Sequence, residues 1–331
     1  MMKKILLISF FISMILIFPS CETDVDINAD WEEITIVYGL LNQKDTAHYF
    51  RINKAFLGGN ALEIAKIEDS SSYKNDLEVV LEGWQGSTKK QTIVFDTTTI
   101  SNKDTGTWYN PYMVVYKGIG ELNENYDYKL FVKNTKSGKE ISSDTKLIHD
   151  FNFVRPNAGS KANFNPGYFS KFSWQKNYDD NAMRYEPLIR FNYYEVPFGT
   201  QDTIAKYVDW YQSTQYAPNL TASSEIEISV SGDAFYTVVA SKIEPNYTGV
   251  RLAGLVDYVV SAAGVEYNTY LDVNEPSTSL VQDRPEYTNI TNGFGLLSSR
   301  YQKTRTLEMS PITEQNLIDM NLSFVKSPWV K

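Results

Sequence analysis

The chain is poor in the residues that most often carry chemistry. Of its 331 residues one is cysteine, Cys21, and two are histidine, His48 and His149. One cysteine excludes an intrachain disulfide, and two separated histidines without further cysteines exclude the closely spaced ligand sets of structural zinc sites. Basic residues number 31 against 40 acidic ones, for a net charge of −9, and such a surface repels nucleic acid. No Gly-x-Ser-x-Gly elbow marks a nucleophile, so nothing local points to a Ser-His-Asp triad. No apolar run reaches the ~20 residues that a spanning helix requires. The longest, Ile5 to Phe18, holds fourteen residues and is broken by Ser9 and Ser13.

That run has its own reading. Lys3 and Lys4 precede it and Pro19-Ser20-Cys21 closes it, which is the layout of a secretory signal. A small residue directly before a cysteine is the pattern of a bacterial lipoprotein signal, here with Phe18 where leucine is commoner. The expectation is a signal over 1–20, lipidation at Cys21, a tether over 21–30 and contact with a membrane through the lipid anchor. Several acyl chains on one residue exceed the two-signal threshold for stable anchoring. Loss of Lys3 and Lys4 with the signal takes the net charge from −9 to −11. The acidic stretch Glu22-Thr23-Asp24-Val25-Asp26 resembles surface-export signals of Bacteroidota lipoproteins, so the expected location is the outer membrane, facing the exterior.

From Glu33 onward short β-branched and aromatic runs alternate with turn residues. Strands are expected at 34–40, 49–52, 77–81, 92–95, 113–116, 126–132 and 140–147. In the clearest, Tyr126, Tyr128, Leu130 and Val132 share a face at period two. The turn-rich stretch from Arg155 to Gly167 places a domain boundary near 150. Beyond it the strands are 169–174, 185–196, 204–211, 251–261 and 266–273, with Leu255 to Ala263 open to a helical alternative. Ser231-Gly232-Asp233 and Ser310-Pro311 signal helices, the first presenting Phe235, Val238 and Val239, the second Ile312, Leu317 and Met320. The fold class expected is mainly β: two β-sandwich-like domains of immunoglobulin or fibronectin type, over 31–149 and 150–331, the second with one or two short helices.

Two segments carry a family resemblance. Leu122-Asn123-Glu124-Asn125-Tyr126-Asp127-Tyr128-Lys129-Leu130 and Asn289-Ile290-Thr291-Asn292-Gly293-Phe294-Gly295-Leu296-Leu297-Ser298-Ser299 are similar to segments of a Bacteroidota lipoprotein family known only as a domain of unknown function. The resemblance implies a non-enzymatic surface lipoprotein, found near TonB-dependent receptors, with an accessory or ligand-capturing role. An outer-membrane β-barrel receptor is then the implied partner, and no catalytic residues or cofactors come with the family.

Read from their own chemistry, Asn289, Asn292 and Gly293 suit either a structured turn or a ligand-contacting loop. Aromatic residues make up 14% of the chain, and two groups stand out for contact with a sugar or a partner. One is Trp108, Tyr109 and Tyr112; the other is Tyr207, Trp210, Tyr211 and Tyr216. β-Sheets use tyrosine heavily too, so a purely structural role competes with both. The rival function is a surface glycan hydrolase with an unrecognised carboxylate pair, for which Asp179 and Asp180 are candidates by adjacency. The same Asn177 to Asn181 loop has calcium-compatible oxygens without EF-hand spacing. Asp45-Thr46-Ala47, Asp96-Thr97-Thr98 and Asp202-Thr203-Ile204 resemble Bacteroidota O-glycosylation sites.

Overall fold

In the computed structural model residues 34–55, 66–67, 71–73, 75–101, 112–200, 202–274 and 286–328 are described. The signal, Cys21, the tether, Trp108 and Tyr109 lie outside them. The first seven strands are β1 (Ile34–Leu41), β2 (Ala47–Ala55), β3 (Leu77–Gln85), β4 (Thr88–Ile100), β5 (Met113–Ile119), β6 (Asp127–Asn134) and β7 (Glu140–Lys146). They form one layer of β1-β2-β5 and another of β3-β6-β7. Strand β4 serves both: Gln91 to Phe95 pair with β3, and Asp96 to Ile100 with β5. First, second and fifth strands facing third, sixth and seventh is the connectivity of an immunoglobulin-like sandwich. Alternation drives it, because Val37, Phe50, Val79, Leu81, Leu130 and Val132 each bury one face of their strand at 1% exposure or less.

Tyr128 explains the Tyr-x-Leu pattern physically. It is fully buried near the start of β6, and its hydroxyl accepts the Asn123 backbone N–H at 2.7 Å while donating to Gln91 Oε1 at 3.1 Å. Burial pushes this phenol up to about 12. A buried tyrosine at the start of the sixth strand that bonds backwards to the preceding turn is a tyrosine corner. Tyr128→Phe leaves the Asn123 amide without its partner and should lower unfolding free energy by about 1–3 kcal/mol in urea titrations.

The second half contains β8 (Asn152–Arg155), β9 (Phe169–Lys176), β10 (Ala182–Pro197), β11 (Ile204–Tyr211), β12 (Gln215–Tyr216), β13 (Ser224–Ser231), β14 (Gly249–Gly264), β15 (Phe294–Leu307) and β16 (Phe324–Val325). A large sheet ordered β11-β10-β14-β15 faces a small one ordered β13-β9-β8. Between them lies a core rich in rings, among them Phe172, Trp174, Tyr185, Phe191 and Tyr258. The fold is mainly β, with a large and a smaller sheet, and sandwich-like.

Among the described residues three short helices accompany these strands, one more than the upper expectation: α1 (Gly232–Lys242), α2 (Val265–Asn274) and α3 (Pro311–Asp319). Ser231 caps α1 by accepting from Ala234 N, and Ser310 caps α3 by accepting from Thr313 N. Phe235 and Val239 are buried with Val238 packed beside them; on α3, Leu317 is buried but Ile312 is exposed.

The strand expected over 266–273 is instead α2. Both edges of β14 are already taken, by β10 and β15, so the chain that follows cannot fold back as a neighbouring strand. Its alternating residues turn helical and lie across the sheet. Polar contacts hold it: Ser298 Oγ accepts from Tyr267 N at 3.2 Å and donates to Glu266 Oε2 at 2.8 Å. The stretch 255–263, open to a helical reading, is strand within β14.

β15 joins the two halves. Phe294 to Ser299 run parallel to β1, whereas Arg300 to Leu307 run antiparallel to β14. The larger sheets therefore continue into one another as a single 13-stranded sheet. Leu147 belongs to the first hydrophobic core and Ile148 to the second. Ile290 and Leu297, from the C-terminal part of the chain, pack in the first core.

Candidate functional site: a polar cleft beside the junction

The register across β10, β14 and β15 builds the site. Arg184 stands opposite Ala263, which stands opposite Arg300; one pleat on, Glu186, Ser261 and Gln302 form a second row. Small side chains on the central strand thus make a floor between longer ones on its neighbours. Tyr185 and Tyr301, at the intervening positions, point the other way and are buried in the core. Tyr267 and Leu271 of α2 form a wall, and Asn42 reaches in from the turn after β1. These residues line a cleft of about 470 Å³.

The charges in it are unequal in their commitments. The Arg184 Nε pairs with Glu186 at 3.1 Å and its Nη1 approaches Asp272 at 3.5 Å and the Tyr216 hydroxyl at 3.3 Å. Arg300 is exposed, and its side chain makes no hydrogen bond or ion pair among the described residues. Lys44 stands close by, its Nζ donating to the Gln302 carbonyl at 3.0 Å and lying 4.4 Å from the centre of the Tyr301 ring. A second recess of about 340 Å³ runs over the outer face of β1, β2 and β5, past Tyr38, Tyr49 and Arg51, and Arg300 lines this one as well. Tyr38 meets Tyr270 of α2 edge to face at 6.2 Å.

Of the residues singled out from sequence, Tyr216 meets Arg184 at the cleft and most of the others fall elsewhere. Tyr112, half-buried, directly precedes Met113 at the second recess. Asn289 is spent on backbone: its Nδ2 donates to the Leu297 carbonyl at 2.7 Å and its Oδ1 accepts Leu297 N at 2.9 Å. Asn292, at φ 60°, donates to the Glu140 carbonyl at 3.1 Å. A Cβ on Gly293 would come within 2.7 Å of the Thr35 carbonyl oxygen. The Asn-Gly segment is therefore the splice that seats β15 against β1 and β7. In the second aromatic group Trp210 packs on Phe164 and Phe235, while Tyr207 lies 4.2 Å beneath the Arg190 guanidinium. Thr46 and Thr203 are exposed, and the Thr97 hydroxyl donates to Asn75.

Asp179 and Asp180 diverge. Asp179 is exposed in a turn at φ 47°, while Asp180 is buried and accepts from the His149 amide at 3.0 Å. The carbonyls of Asn177 and Leu220 receive hydrogen bonds from the buried Lys176 ammonium, both at 2.8 Å, which sets a cation of the protein's own where calcium would need oxygens. Both histidines are interstrand or linker residues, His48 bonded to the Gly120 carbonyl and His149 to that of Glu124. Among the described residues no group of three or more His, Cys, Asp or Glu is placed to hold a metal ion, and no helix is long and apolar enough to cross a membrane.

Burial raises the Asp180 carboxyl above its ordinary range, outweighing the amides that bond it. A carboxyl raised by folding favours the fold while protonated and costs stability as pH rises through its folded value. Asp180→Asn removes that cost, so its melting temperature should match or exceed the parent's at pH 7. It should also fall less as pH rises from the ordinary carboxylate value toward 7 in paired thermal scans.

Sequence reasoning missed Arg184, Arg300, Asn42 and Tyr267. Alternation around Tyr185 and Tyr301 shows that 184, 186, 300 and 302 face away from the core, but no local signal says that these strands are neighbours. No protein-family model matches this chain, and no curated protein matches it.

Proposed function

We propose that this protein is a non-enzymatic, lipid-anchored component of the outer-membrane surface that captures a ligand in the cleft beside its junction, alongside a TonB-dependent receptor. The observation that carries the binding reading is the cleft itself: a volume within the range of roughly 300–1,000 Å³ common to ligand sites, walled by convergent polar groups from five elements. The anchor rests on the sequence layout that ends at Ser20-Cys21, and the receptor on the family resemblance. Against the hydrolase stands the lining, in which Glu186 is the one carboxylate among the described residues and is already paired with Arg184.

Palmitate labelling of cells should mark the parent and not Cys21→Ala, and protease added to intact cells should digest the protein. Crosslinked pull-downs from native membranes should recover a β-barrel receptor. Recovery of the bait alone overturns the receptor part, and labelling that survives Cys21→Ala overturns the anchor.

A further inference from the structure

We infer that the cleft and the adjoining recess act as one groove, centred on Arg300, that takes an acidic oligosaccharide; this rests on the proposal that the cleft is a ligand site. Arg300 lines both spaces, of about 470 and 340 Å³, so a ligand longer than a single ring would pass over it. It is exposed and without a partner among the described residues, whereas Arg184 is ion-paired and Arg51 donates to Asn53 Oδ1 at 2.8 Å. A guanidinium that is free to make two parallel hydrogen bonds matches a carboxylate.

The local charge favours an anion against the trend of the whole molecule. The two linings hold Arg51, Arg184 and Arg300 against Asp45 and Glu186, in a chain whose net charge is −9. Among the remaining side chains Asn42, Ser261 and Gln302 are amides and a hydroxyl that both donate and accept, as the hydroxyls of a sugar require, with Gln302 Nε2 donating to Ser261 Oγ at 3.0 Å. Tyr38 and Tyr49, 39% and 46% exposed, line the recess, with the Lys117 ammonium 5.8 Å from the centre of the Tyr49 ring.

An acidic peptide shares the carboxylate but not the rest. Peptides commonly dock by adding a strand to an open edge. Here β10, β14, β1, β2 and β5 each lie between two neighbours in the sheet order, and where β15 keeps only β14 beside it the Gln302 carbonyl is taken by Lys44 Nζ, so the groove presents mainly side chains.

The test uses the full lipidated chain in detergent micelles, titrated calorimetrically with tetragalacturonate, a hyaluronan tetrasaccharide and sialyllactose. Methyl-esterified tetragalacturonate and tetraglutamate are the controls. At least one acidic saccharide should bind. Esterification and Arg300→Gln should each weaken binding about ten- to hundred-fold, the worth of a charge-assisted hydrogen bond. Ser261→Trp, which fills the floor, should abolish it, with thermal melts verifying that both variants fold. No binding by any of the three acids, equal affinity for acid and ester, or tighter binding of tetraglutamate overturns the inference. If the neutral ester binds as tightly as the acid and Ser261→Trp stops both, the ligand site stands and the acidic class falls. If Ser261→Trp leaves all binding intact, the site itself falls.

Discussion

Arg251→Ala should lower the unfolding free energy by about 3–5 kcal/mol, the largest loss expected from one substitution in this chain. Arg251 is 1% exposed, and its Nε and Nη2 both donate to Glu195 Oε1, at 3.0 and 2.9 Å. Its Nη1 satisfies two backbone carbonyls, Glu244 at 2.8 Å and Leu322 at 2.9 Å, and the guanidinium lies 4.6 Å from the centre of the Tyr247 ring. One side chain therefore pins β10, the segment after α1 and the approach to β16 onto β14. Its removal leaves the Glu195 carboxylate nearly buried without a countercharge, and that uncompensated charge is the main cost. The double variant Arg251→Met with Glu195→Leu should recover most of the loss in the same urea titrations. A double variant as weak as the single one would show that the two carbonyls, and not the charge, set the penalty.

The second large effect is expected at the splice. Leu297 is fully buried in the first core although it comes from the end of the chain, and Leu297→Ala should cost about 2–5 kcal/mol. Gly295 sits at φ 115° with the Val37 carbonyl oxygen where a Cβ would go, so Gly295→Ala adds backbone strain to a direct clash. Both changes act on the parallel pairing of β15 with β1 and leave the antiparallel pairing with β14 in place. Hydrogen exchange should accelerate at Val37 to Leu41 and at Leu296 to Ser299 well before it does so at Val259 to Ala262. Uniform acceleration across both stretches would mean that the halves unfold as one unit. Because the cleft lies beside this splice, with Arg300 the next residue of β15, ligand binding should weaken in both variants.

The parts legible in the sequence share one property: each depends on neighbours within a few residues. Period-two alternation from Leu77 to Ile141 was enough to orient the sandwich strands, because one buried face per strand leaves a local imprint. Ser231 and Ser310 announced α1 and α3 for the same reason, since an N-cap side chain bonds an amide two or three residues on. The α2 segment broke the rule. Tyr267, Thr269, Leu271 and Val273 alternate as a strand should, and only the occupied edges of β14 decide against it. The Asn-Gly segment is visible as special backbone, but the bonds from Asn289 to Leu297 and from Asn292 to Glu140 depend on where β15 runs.

By itself, then, the sequence determined the chain's excess of acid, the rarity of its thiol and imidazole groups, its mainly β character, the faces of its strands and the caps of two helices. Tertiary structure decided which strands are neighbours, that β15 changes partners between Ser299 and Arg300, and that Arg184 and Arg300 flank Ala263 to make a cleft. The reason is one of range. Propensity, capping and alternation act over a few residues, whereas the three strands of the cleft floor come together only through pairing between residues as far apart as Arg184 and Ala263, and Ala263 and Arg300.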